Sequence, residues 1–416
     1  MERSMDERTL RRWFGAALAN LFIAALIGCS LRAMYVVELP FVRFKALLHA
    51  HSHVALLGWM FIATCIFLFR FSGPRAFGPW PRRWLAVAQI AVVGMLVSFP
   101  IEGYGPFSTT FSTVHLLVSY ALVWHLWRAT RSWNATGSRA LVRLALVLMA
   151  LSTIGVWAVP VINANGLFGT EVYYWSVQFF LHFQFNGWLW FAALALWSRW
   201  AEQHGMPTPL DRTTVRLWAV SVFLTYALAI AWSERHAVVY ATNSLGVLVQ
   251  LWAGWRTGNA IRIAQQRLQA IVPLWAWRCV TYALIGMGIK VIMQAAVAIP
   301  QVATLAFTVR NYVVGFIHLN MLGALSLMLF AMALLAGWWR STDRMLRIGL
   351  SLFTSGVLLT EVLLFAQGSA WWLAWGTLPG YYLLLLSVSL LLPAGVLILL
   401  LHSRKRELSA QLDIGS

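Results

Sequence analysis

Leu48-His49-Ala50-His51-Ser52-His53-Val54-Ala55-Leu56-Leu57-Gly58-Trp59 sets three histidines within five residues at the start of a long apolar run. On a helix, His49 and His53 stand four apart and share a face, while His51 points elsewhere. The tail of the stretch, a histidine followed five positions on by glycine, comes back twice. It recurs as His182-Phe-Gln-Phe-Asn-Gly187 and as His318-Leu-Asn-Met-Leu-Gly323. The intervals between these histidines are 129 and 136 residues, close to a third of the chain. Such near-even recurrence inside apolar segments reads as an internal triplication, with repeats over approximately 13–127, 140–256 and 271–401.

Composition places the repeats in a membrane. Of the 416 residues 60% are hydrophobic and 11% charged, with a mean hydropathy of +0.72. A soluble chain of this length would divide into domains with charged surfaces. Here apolar runs near 20 residues follow one another from end to end, as membrane-spanning helices require. The net charge of +18 is explained by where the charges fall, so nucleic acid is not an expected partner. Cys29, Cys65 and Cys279 all lie in apolar runs without metal spacing, and no Cys-x-x-Cys-His is present. Trp13, Trp80, Trp84, Trp200, Trp338 and Trp339 lie at segment ends, where interface anchors are expected.

The pattern predicts an all-α, polytopic fold: one membrane domain over 1–416 with twelve spans. They run over about 13–37, 44–70, 83–100, 109–127, 140–160, 174–198, 214–232, 237–256, 271–299, 310–337, 347–366 and 377–401. The first run is too late and too long for a signal peptide. Loop charges orient the chain. With the N-terminus cytoplasmic, the inner segments hold most of the 31 Lys and Arg, including Arg70, Arg75, Arg82, Arg83, Arg128, Arg131, Arg139, Arg143, Arg404, Lys405 and Arg406. The outer segments hold only Arg43, Lys45, Arg235 and Arg310. The expectation is N-in and C-in, with multi-pass insertion in a bacterial inner (cytoplasmic) membrane and lipid as the first partner. Ser233-Glu234-Arg235 makes a tight turn between spans seven and eight. Two outer loops, around Glu102-Gly103-Tyr104 and around Glu171-Val172-Tyr173, mix Gly, Pro, aromatic and acid and suit a cap over something buried, or an interface position.

Histidine depth suggests chemistry. His53, His115, His182 and His318 enter their spans from the outer side and lie about six to nine residues in, at about 1.5 Å per residue. A lone histidine in a membrane helix is often a packing residue with its ring hydrogen-bonded. Four at one depth fit a shared purpose better. Neutral imidazole binds iron and copper and tolerates an apolar site. The scarcity of carboxylates disfavours a hard-cation site.

Twelve spans, an inner N-terminus and a histidine on the second helix of each group of four resemble the heme-copper oxidase superfamily. These are the catalytic subunits I of terminal oxidases and nitric oxide reductases. The resemblance implies three pseudo-symmetric four-helix arcs. It implies a low-spin heme held by one histidine from span two and one from span ten, which match His53 and His318. In one register Phe316 stands where the high-spin heme ligand would be. In the other, His318 takes that place and Asn320 replaces the low-spin ligand. His182 matches the span-six copper ligand, but span seven has no histidine, and Asn186 stands where the family carries a tyrosine. The chain is thus most similar to the short, divergent subunit-I-like membrane proteins.

The resemblance implies heme b, with Arg32 and Arg310 placed to pair with its propionates or to snorkel to headgroups. Copper or zinc at a second site would draw on His182, with His49 and His115 nearest in depth; the alternative is that His182 hydrogen-bonds Asn186. Lys290, Gln294 and Glu361 are further ionisable or polar groups inside spans. The leading functional expectation is a heme b redox protein that takes electrons from a quinol or a periplasmic cytochrome, with an accessory membrane subunit as a further partner. The alternatives are a reductase of nitric oxide or oxygen, a noncatalytic heme or copper binding, sensing or delivery protein, and a transporter.

Overall fold

With no water available in hydrocarbon, the peptide groups of an apolar run must pair within their own segment, and the α-helix does this. A computed structural model describes residues 2–73, 76–133, 136–206, 210–234 and 236–412. Arg75 and Arg235, both part of the charge pattern, lie outside these. Eleven helices are long and apolar enough to cross a membrane. In chain order, with one further helix, they are α1 (Glu2–Ala33), α2 (Phe44–Ser72), α3 (Pro79–Glu102), α4 (Pro106–Ala129), α5 (Thr136–Ala164), α6 (Glu171–Gln203), α7 (Arg212–Ile230), α8 (Ala237–Leu268), α9 (Leu274–Ala296), α10 (Arg310–Leu335), α11 (Arg344–Trp372) and α12 (Tyr381–Lys405). The further helix is α4. It is 24 residues long but carries Ser, Thr and His, and it is less apolar than the rest. Among the described residues there is no strand. A short helix, Pro300–Thr308, precedes α10 and was not part of the expected pattern.

The three histidine repeats share an unusual backbone. His53, His182 and His318 are each the last residue of an α-helical stretch. The next residue opens a π-helical stretch, Val54–Phe61, Phe183–Leu189 and Leu319–Ser326 respectively. Each of these contains the repeat's glycine. π-Helix is rare, and where it occurs it is often at functional positions.

These three helices form the inside of the bundle. In the most apolar part of α2 and of α6, 78% of residues are buried, and in α10 61%, against 28–44% in the other spans. Their C-terminal halves meet directly. Trp59 Nε1 on α2 donates to Ser326 Oγ on α10 at 2.9 Å, and the rings of Phe61 and Trp188 lie 6.1 Å apart. Their N-terminal halves do not seal one another: His51, His53 and His318 keep accessible surface although they lie deep in the bundle.

One end of the bundle is laced by polar contacts. Arg70 donates to Glu7 at 2.7 Å, Arg256 to Asp211 at 2.6 Å, and Ser138 to Glu202. His402 approaches Asp343 at 3.3 Å. Trp338, Trp339 and Trp200 are buried at this end rather than placed as interface anchors; Trp339 Nε1 donates to Ser403 Oγ. At the other end Gly103, with φ of +68°, turns the chain between α3 and α4, and Glu102 accepts from the Ser108 amide at the start of α4. The acid of that loop therefore caps a helix.

Helices close on one another at glycines, as in other membrane bundles, where apolar helices gain by close van der Waals packing. A Cβ on Gly155 of α5 would collide with the Ser176 carbonyl of α6 and come 2.9 Å from the Phe180 nitrogen. On Gly286 of α9 it would come 3.2 Å from the Gly323 backbone of α10. Gly288 has nothing within 4 Å. Gly155→Ala should therefore destabilise the protein by about 1–3 kcal/mol through overpacking. Gly288→Ala should be neutral or stabilise by up to about 1 kcal/mol through helix propensity. Melting of the two variants in one detergent checks the packing: equal shifts would contradict it.

Candidate functional site

The histidine repeat places three equivalent rings against three different neighbours. Each ring faces the helix that follows its own. His53 packs on Phe99 of α3, with ring centroids 4.3 Å apart. His182 Nε2–H donates to the Val222 carbonyl of α7 at 2.7 Å. Gly315, one turn before His318, faces α11, where a Cβ would come 3.2 Å from Glu361 Oε2.

The first space lies between α2, α3 and α4. His53 Nδ1–H donates to the His49 carbonyl at 2.9 Å, and the His49 ring stands 4.6 Å from that of Tyr104. His115 is 2% exposed, packs on Phe61 at 5.1 Å and pairs with the Leu57 carbonyl. Its Nε2 is buried without a partner.

The second space lies between α6, α7, α8 and α9. A chain of side chains crosses it. Gln250 Nε2 donates to Gln294 Oε1 at 3.0 Å, Gln294 Nε2 reaches Asn186 Oδ1 at 3.5 Å, and Asn186 Nδ2 donates to His182 Nδ1 at 3.2 Å. Because the Val222 carbonyl can only accept, His182 must carry its proton on Nε2 and accept at Nδ1. Both ring nitrogens are thus engaged.

The third space lies between α1, α2, α10, α11 and α12. His51 Nδ1–H donates to the Ala24 carbonyl of α1 at 2.8 Å. A Cβ on Gly28 would come 3.1 Å from the same ring, so glycine makes room for it. His318 lies within electrostatic reach of both His51 and Arg32, and its Nδ1 is buried without a partner. Arg32 donates to Ser389 Oγ and lies near Cys29, Tyr381 and Glu361. Glu361 is 7% exposed, and neither of its carboxylate oxygens has a hydrogen-bond partner. Asn311 Nδ2 donates to the Tyr381 hydroxyl at 2.9 Å. Above them the rings of Tyr35 and Tyr382 stack at 5.2 Å.

Two expected groupings are therefore not assembled. His53 and His318 do not face each other: His53 turns toward α3 and α4, and the imidazole that shares a space with His318 is His51. His182, His49 and His115 do not converge either. Among the described residues no group of three or more His, Cys, Asp or Glu could hold a metal ion. Arg32 is placed beside the histidine pair as expected, whereas Arg310 is exposed at the start of α10. The signal for His51 lay in its offset. Two residues from His53, at about 100° per residue, its ring must leave α2 on nearly the opposite side, toward α1.

No family model matches the chain, and no curated protein matches its sequence.

The amide chain around His182 makes a checkable statement about protonation. Long-range proton–nitrogen NMR of histidine-labelled protein, assigned by loss of a signal in His182→Gln, should find His182 neutral with the proton on Nε2. A proton on Nδ1 would contradict the network.

Proposed function

We propose that the chain is a multi-pass heme b protein that transfers electrons, with the heme held between His51 of α2 and His318 of α10. The reading takes α4 as the twelfth span. It has both termini on the cytoplasmic side of a bacterial inner membrane and three arcs of four helices around α2, α6 and α10. The single observation that carries it is the pairing of these two imidazoles, from different inner helices, in one space beside an arginine.

The donor set fits the group. Anchoring His51 Nδ1–H on a carbonyl leaves Nε2 as the free lone pair, which is how ligating histidines are oriented. His318 has an unpartnered ring nitrogen in the same space. Gly28 and Gly315 keep side chains out of it. Arg32 supplies a fixed positive charge of the kind that pairs with carboxylates such as propionates. Bis-histidine heme supplies one-electron chemistry without an open coordination position. The chain's own part is to orient two rings, exclude water and hold Arg32 through Ser389. A quinol or a periplasmic cytochrome is the donor class such a site serves, with lipid and an accessory membrane subunit as the surrounding partners. His53 keeps its contacts with Phe99 and His49 and takes no part in ligation.

Optical spectra of the purified protein test this. The wild type should show a low-spin heme b spectrum, oxidised and reduced, insensitive to carbon monoxide. His51→Ala and His318→Ala should lose it, and His53→Ala should keep it. Loss in His53→Ala with retention in His51→Ala would restore the other pairing, and an absence of heme in protein made with heme supplied would end the proposal.

A further inference from the structure

The second space holds a charge without a counter-charge. Lys290 of α9 is 1% exposed. Its ammonium lies over the Trp190 ring, 4.3 Å from the centroid. Among the described residues no carboxylate pairs with it and no acceptor takes any of its three N–H groups. The charged group within its electrostatic reach would be His182, but that ring is held neutral by Val222 and Asn186. The remaining neighbours on the same side are amides. Gln294 stands one turn along α9, and it links Gln250 of α8 to Asn186 of α6. Asn186 itself lies one turn before Trp190 on α6.

A lone charge inside a membrane bundle is costly, and the cost is removed by pairing. The aromatic face offsets a part of it, about 2 kcal/mol in a desolvated setting. It leaves three donors unmet. The amides of Gln294 and Asn186 each have a second N–H beyond the one that the hydrogen-bond chain uses. Such a surround, one cation with amide donors and no acid, is matched to a small anion.

We propose that the space between α6, α8 and α9 is a binding site for one small monovalent anion, held by Lys290 with Gln294 and Asn186 as amide donors. The site is separate from the His51–His318 space and does not depend on what that space holds. The anion neutralises Lys290 in place, and its entry is coupled to the amide chain that fixes His182.

Binding of radiolabelled chloride and of radiolabelled formate to the full chain tests the proposal. The protein is held in nanodiscs of uncharged lipid, with gluconate as the bulk anion. The wild type should bind at least one of the two saturably, at one per chain. Lys290→Arg should retain binding, Lys290→Met should abolish it, and Gln294→Leu should weaken it about tenfold, the loss of one hydrogen bond to a charged group. Should Lys290→Met fail to fold, Gln294→Leu decides: weakened binding supports the site, and unchanged affinity overturns it. No saturable binding of either probe to the wild type, as expected if the lysine is simply a neutral amine, also overturns it. So does binding by folded Lys290→Met equal to that of the wild type.

Discussion

A π-helical turn loosens the carbonyl ladder of a helix, and in hydrocarbon every loosened carbonyl must find a donor. That constraint acts three times in this chain, one residue after each repeated histidine. On α2 the Gly58 carbonyl takes Asn20 Nδ2 of α1 at 2.9 Å, and the Leu57 carbonyl takes His115 of α4. On α10 the Met321 carbonyl takes Ser326 Oγ at 2.8 Å, and Ser326 in turn takes Trp59 of α2. The wide turns are thus the points at which neighbouring helices are pinned to the inner three. They also set how each histidine is presented just before the turn.

The pinning explains why the C-terminal halves of α2, α6 and α10 are sealed while their N-terminal halves enclose polar spaces. A polar group left in such a space must be satisfied or serve as a ligand position. His182 belongs to the first kind, with both ring nitrogens bonded. His51 and His318 belong to the second, and so does Lys290. The difference between them lies in what the adjacent helix offers. α7 offers a free carbonyl at Val222. α1 offers Ala24 and the clearance of Gly28, which engage one nitrogen of His51 and leave the other.

Much of this was legible in the sequence. Apolar length located every one of the long helices to within several residues, and the His-x4-Gly repeats marked the inner ones. Gly58, Gly187 and Gly323 are points of close approach, against Asn20 and Val92, Leu148, and Leu319 and Val357 respectively. What sequence spacing could not supply was the direction of each ring around the bundle. Three residues in equivalent positions of a repeat face three equivalent spaces, so His53 and His318 could not share a ligand. The partner of His318 had to come from another register, and His51 supplies it. The π turns also left no mark in composition, because Val54–Phe61 and Leu319–Ser326 are ordinary apolar sequence. Lys290 stood out as a charge in a span, but its lack of an acid partner depends on which helices surround it.

The account stands on one geometric claim, that the imidazoles of His51 and His318 face a common guest. An electron cryo-microscopy map of the protein purified from its native membrane, at side-chain resolution, tests it most directly. The account predicts planar density between the two Nε2 atoms, with Arg32 reaching its edge. Continuous side-chain packing between His51 and His318, or such density against His53 instead, would contradict it.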